Sequence, residues 1–203
     1  ERLSSGLRIN RAADDAAGLA IAEGFRSVVR GTQVAQRNAQ DGVSLVQTAE
    51  GALSETTNIL QRIRELSVQA ANGTQSSANR VSLDTEVNQL LAQIDDIAFD
   101  TEFNGVNVLS SGTTLTLQTG AFRGQNLSII VGAGSQGSIG VSAVNISTAN
   151  GAISALSTVD AALQSVNSLR SNLGAFQNRL EFTINTLAIQ EENSAASESA
   201  IRD

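Results

Sequence analysis

The sequence predicts a mainly α fold: an elongated rod of long antiparallel helices, packed as a coiled-coil-like bundle, with a small β-hairpin region. Three observations carry this expectation. Apolar and small residues recur in alternating steps of four and three through most of the first third of the chain. Proline is absent, so nothing breaks a long helix through ring clash and a lost N–H. Aromatic residues make up only 3% of the 203, with no Trp or Tyr, which suits a thin aliphatic core shared by helices lying side by side.

The first helix is expected from about Ala16 to Asn72. Its seam steps through Ile21, Phe25, Val28, Thr32, Ala35, Ala39, Gly42, Val46, Ala49, Leu53, Thr56, Leu60, Ile63, Ser67 and Ala70, a heptad pattern kept over roughly seven repeats. At 1.5 Å per residue such a helix is roughly 80 Å long. Asp14 and Asp15 suit its start through the helix dipole, and Asn72-Gly73 supplies a stop. Gly18, Gly24, Gly31, Gly42 and Gly51 each cost about 1 kcal/mol relative to Ala inside a helix. Because the seam holds its phase across them, close approach of neighbouring backbones is the expected reason for their presence.

A second helix is predicted from about Ser77 to Ala98, with Leu83, Val87, Leu90, Leu91, Ile94 and Ile97 inward. The stretch "TEFNGVNVLSSG" then has turn chemistry. Within it Asp100, Glu102, Asn104 and Gly105 imitate the start of a calcium-binding loop, but Ser111 stands where the bidentate Glu is needed, so no metal site is assigned. "TLTLQTG" and "QNLSIIVG" alternate around "AFRG" as two strands of a hairpin. The Gly/Ser/Asn-rich stretch 133–150 reads as a connector. A last helix follows, with Leu156, Val159, Leu163, Val166, Leu169, Leu173, Phe176, Leu180, Ile184 and Leu187 at threes and fours. Its tail beyond Glu191 is polar and rich in Ala and Ser, and is expected to fray or to meet a partner.

Composition excludes several function classes. There is no His and no Cys, which removes the commonest general base, the soft metal ligands, the thiol nucleophile and disulfides. All thirteen basic residues are Arg, and the net charge is −7. No basic stripe follows a phosphate backbone, so neither nucleic acid nor an anionic membrane is an expected partner. No apolar run reaches the length of a membrane span. No catalytic, cofactor-binding or metal-ligating residue is assigned.

One surface feature stands out at the end of the first helix, in "LQRIRELSVQAANGT". At about 100° per residue, Ile59, Leu60, Ile63, Ser67, Ala70 and Ala71 form the inner stripe, while Gln61, Arg62, Glu65 and Gln69 form a polar ridge opposite. Leu66 falls on the border between the two and is read as an exposed leucine beside Arg62. Spacing at i, i+3, i+4 and i+7 allows one partner to touch Arg62, Glu65, Leu66 and Gln69 together. A solvated face is the commoner meaning of such a ridge.

The residues resemble the bacterial flagellin family over nearly the whole chain. "RLSSGLRINRAADDAAGLAIAEGFRS" is similar to the family's N-terminal signature, "LQRIRELSVQAANGT" and "DTEFNGVNVL" follow in the expected order, and "LRSNLGAFQNRLEFTINTL" is similar to its C-terminal helix. The resemblance implies a single elongated core domain over residues 1–203. It would consist of a helical segment 1–109, a hairpin and connector 110–150, and a C-terminal helix 151–203. It further implies an extracellular filament subunit, exported through the flagellar apparatus for motility, whose partners are other flagellin subunits and the flagellar cap and junction proteins. Rods sliding between nearly equal packings would switch the filament's supercoil.

The family's polymerising terminal helices would lie before Glu1 and after Asp203, so the chain by itself is expected to be monomeric. In flagellins the segment corresponding to Gln61–Gln69 faces a neighbouring subunit, and in the free monomer it is bound by animal Toll-like receptor 5. The resemblance makes Gln61, Arg62, Glu65, Leu66 and Gln69, joined by Glu86 on the second helix, the expected partner-binding residues. An Arg fork beside a leucine suits an interface hot spot. Two alternatives from other classes are a hook–filament junction protein, which shares the terminal pattern, and a cell-surface polysaccharide-binding protein, for which Trp and Tyr platforms are lacking. An enzyme is not expected.

Overall fold

Asp15 opens the first helix. In the computed structural model, which describes residues 8–203, its Oδ1 accepts the N–H groups of Ala17 (3.1 Å) and Gly18 (2.9 Å), the arrangement of an N-cap carboxylate. The opening "ERLSSGL" of the N-terminal signature lies outside the described residues. Helix α1 then runs without a break over Ala16–Ala71. Its last carbonyls are taken up by Arg80, whose Nε donates to Ala70 O at 2.7 Å and whose Nη2 donates to Asn72 O at 3.0 Å.

Ser76 caps α2, Ser77–Asp100, by accepting the N–H of Asn79. The chain next turns sharply. Strands β1 (Glu102–Phe103) and β2 (Val106–Asn107) pair antiparallel with Phe103 opposite Val106. Between them Asn104 and Gly105 have φ of 51° and 73°, left-handed values that Asn-Gly adopts readily in two-residue hairpins. The stretch that imitates a calcium loop is therefore a hairpin. The predicted longer hairpin is β3 (Thr113–Gln118) with β4 (Asn126–Val131), and Leu127, Ile129 and Val131 turn inward. Helix α3, Ala149–Arg202, starts at Thr148, whose Oγ1 accepts the N–H of Gly151. The fold class is mainly α, with three helices and two small antiparallel strand pairs among the described residues.

The described residues form two compact units: residues 8–44, 116–128 and 177–203 make one, residues 45–115 and 129–176 the other. In the first, α1 and α3 are antiparallel: Gln33 donates to Glu191 at 2.7 Å, and nine residues further along α1, Gly42 lies against Leu180. In the second, the partner of α1 moves back from Arg170 at Glu50 to Asp160 at Arg64. The seam is buried as predicted from Thr32 to Ala70. Its first steps need correction: Ala22 takes the buried position, Ile21 is 54% exposed, and Phe25 and Val28 are half-covered. The tail after Glu191 needs correction too. It stays helical to Arg202 because Ala and Glu favour helix, Ser194 turns inward, and the Arg202 carbonyl accepts the N–H groups of Arg8 and Ile9.

The glycines of α1 divide into two groups. A Cβ on Gly31 would stand 2.9 Å from the Cβ of Ala121 and 3.3 Å from its Cα at the hairpin tip, where close backbone approach explains the glycine, whereas one on Gly42 would meet a side-chain methyl of Leu117 at 2.3 Å rather than backbone. Nothing lies within 4 Å of such an atom at Gly24 or Gly51, so close approach does not account for these two. Gly24→Ala and Gly51→Ala are each expected to stabilise the chain by about 0.5–1 kcal/mol, read as a raised urea midpoint. Gly31→Ala, where the helical gain meets rigid atoms, is expected to show no such gain.

Candidate partner-binding surface

Helix α2 lies beside the C-terminal part of α1 and brings Glu86 to Arg62. The Arg62 guanidinium donates from Nε (3.0 Å) and Nη2 (2.8 Å) to Glu86 Oε1, and from Nη1 to Glu65 Oε2 at 3.2 Å. One Arg thus joins an i, i+3 neighbour on its own helix to a carboxylate on the next. The hydrogen bond to Glu86, then that to Glu65, raises the Arg62 pKa, so the group keeps its charge throughout the pH range of a folded chain. All three side chains stay open to solvent. Gln61 and Gln69 are exposed on the same ridge. Five of the six expected residues therefore share one accessible face, with its geometry fixed by the Arg62 fork.

Leu66 does not. It is 1% exposed, and the expectation of an accessible leucine beside Arg62 is corrected. A seam with a single partner helix leaves Leu66 on its border, but here α1 has neighbours on both flanks: α2 through Arg62 and Glu86, α3 through Arg64 and Asp160, 2.8 Å apart. The buried arc turns about 20° from the predicted stripe, takes in Leu60, Ile63, Leu66, Ser67 and Ala70, and leaves Ile59 and Ala71 half-covered. The ridge is therefore polar in what it presents, and Leu66 belongs to the core.

Two acids of α2 that sequence reasoning passed over organise the stretch read as a connector. Asp95 accepts the N–H of Gln136 at 2.9 Å and its side-chain amide at 2.6 Å. Asp84 accepts the N–H of Ile146 at 2.7 Å. Between these anchors Ile139, Val141, Val144 and Ile146 are buried, so the segment is a packed part of the second unit. No spacing pattern in the sequence marks these two acids. Asp95→Ala is expected to cost about 2 kcal/mol, the scale of charge-assisted bonds lost from a part-buried pair, and to speed amide exchange at Gln136 while leaving the α1 amides unchanged.

Comparison with known proteins adds to this geometry. The family model described as the bacterial flagellin N-terminal helical region matches residues 1–114, and that of the bacterial flagellin C-terminal helical region matches residues 156–203. Flagellin FlaB1 of Treponema pallidum (strain Nichols) is 43% identical over 220 residues, covering 100% of this chain and 77% of the relative. The flagellin of Bacillus subtilis (strain 168) is 45% identical over 239 residues, covering 100% of this chain and 78% of the relative. Among solved structures, that of Bacillus cereus flagellin aligns with a TM-score of 0.64 at 33% identity, over 74% of this chain and 88% of that one. The ridge and α1 lie inside the matched N-terminal region, and α3 lies in the matched C-terminal region from residue 156 onward. The chain belongs to the bacterial flagellin family, the core proteins of the flagellar filament.

Proposed function

We propose that the chain is a structural subunit that polymerises outside the cell through its long helices to form the motile filament, and that its free form is bound by animal Toll-like receptor 5 through the ridge of Gln61, Arg62, Glu65, Gln69 and Glu86. The role is mechanical rather than catalytic. The observation that carries the receptor reading is the clasp of Arg62 with Glu65 and Glu86, which holds side chains of two helices on one open face. Such a face offers a partner a preorganised set of donors and acceptors, so little side-chain entropy is lost on docking. The same ridge would face a neighbouring subunit once assembled, and the cap and junction proteins would meet the same subunits at the filament's ends. No described helix is long and apolar enough to cross a membrane.

The test is direct binding of the chain to the immobilised receptor ectodomain, alongside a receptor-driven reporter in cultured cells. Saturable binding with a matching signal supports the reading. Failure of the folded chain to bind or to signal would remove the receptor from it, leaving the filament role to be tested by expressing the gene in a flagellin-null bacterium and scoring motility.

A further inference from the structure

Asn followed by Gly is the step at which a polypeptide deamidates most easily, since glycine puts no side chain in the way of its own amide nitrogen. The chain has such steps at Asn72-Gly73, Asn104-Gly105 and Asn150-Gly151, and the fold treats each differently. Gly151 lies in the first turn of α3; its N–H is bonded to Thr148 Oγ1 at 3.1 Å, and the Asn145 carbonyl sits 2.6 Å from where a Cβ would stand. Asn104 is held at φ 51° in the β1–β2 turn, between strands that pair Phe103 with Val106. Closing a ring between its side chain and Gly105 requires rotation out of that turn and loss of the hairpin.

Asn72 shares open, exposed surroundings with Asn104, whose Gly105 also has nothing within 4 Å of a Cβ, and differs from it in a side-chain hydrogen bond. Asn72 and Gly73 are exposed beyond the end of α1, and nothing lies within 4 Å of a Cβ on Gly73. Asn72 Oδ1 accepts the N–H of Thr74 at 3.2 Å. That bond, an Asx turn across Gly73, places a donor on the oxygen that becomes negative during attack.

We propose that Asn72 is a built-in site of spontaneous deamidation. The Gly73 nitrogen attacks Asn72 Cγ, forming the N–Cγ bond as its own proton passes to solvent. The Cγ–Nδ2 bond breaks and, with a proton from water, the amide leaves as ammonia. Water then opens the resulting succinimide at either carbonyl, giving aspartate or isoaspartate; no oxidant or reductant takes part. The product carries a new carboxylate at the C-terminal end of α1, where the helix dipole disfavours negative charge. In the iso form an extra methylene enters the backbone that Arg80 now holds through Ala70 O and Asn72 O. The net charge of −7 becomes one unit more negative.

The experiment incubates the folded chain at mildly alkaline pH and follows each Asn-Gly step by peptide mapping and mass spectrometry, with a parallel sample unfolded in urea. In the folded chain Asn72 is expected to convert about tenfold or more faster than Asn104 and Asn150, while in urea the three should agree within about threefold. A smaller lead in the folded chain, a faster Asn104 or Asn150, or an intact Asn72 after the urea sample has converted overturns the proposal. Thr74→Pro removes the N–H that bonds Oδ1 and is expected to slow Asn72; an unchanged rate overturns the part assigned to that bond.

Discussion

Leu66→Ala is expected to lower the unfolding free energy by about 2–5 kcal/mol, the range for emptying a leucine site in a packed core. Leu66 is among the fully buried side chains of the second unit, together with Leu53, Leu60, Ile63 and Ile94. The cavity would open in the core of the second unit. Urea titration followed by circular dichroism measures the loss as a lower midpoint at unchanged slope. The sharper part of the prediction concerns binding. Below the variant's melting temperature, the folded fraction should bind the receptor within about threefold of the parent, because Leu66 presents no surface to a partner. A stability loss below about 1 kcal/mol combined with a large loss of affinity would mean that Leu66 is a contact and that α2 moves aside on binding.

Arg62→Glu is expected to act in the opposite way. It replaces the one cation of the clasp with a third carboxylate beside Glu65 and Glu86, so the ridge loses its fork of donors and becomes uniformly negative. Receptor affinity should fall by about tenfold or more, while the melting temperature moves little, since the pairs it breaks are exposed. Surface plasmon resonance and thermal unfolding of the same preparation report the two quantities together. Unchanged affinity would dissociate the ridge from recognition. Pairing Arg62→Glu with Glu86→Arg provides a control: partial recovery of stability without recovery of binding would show that the partner reads the Arg at position 62 itself.

The sequence made legible those features that local chemistry decides. The start of α1 at Asp14 and Asp15, the turn chemistry of "TEFNGVNVLSSG", and the hairpin around "AFRG" each follow from a few adjacent residues. The seam from Thr32 to Ala70 follows from periodicity. Where the reading failed, a second neighbour or a distant contact was responsible. Leu66 lies on the border of a stripe facing one helix and falls inside the stripe when two helices flank it. Ile21 keeps the heptad phase, yet the buried position nearby belongs to Ala22. Asp84 and Asp95 bond groups 62 and 41 residues away in the chain, and pairings of that kind leave no mark in spacing, so residues 133–150 read as a connector although four aliphatic side chains are buried there. For the candidate surface, the polar ridge itself followed from helical angles, whereas the place of Glu86 beside it came from the family resemblance and not from any pattern.

The most direct test of the ridge as a partner surface is hydrogen–deuterium exchange on the chain, free and bound to the receptor ectodomain. Protection on binding is expected in peptides spanning residues 61–69 and in those containing Glu86, with residues 116–128 and 177–203 unchanged. Protection confined to those latter segments, with 61–69 exchanging as in the free chain, would contradict the account.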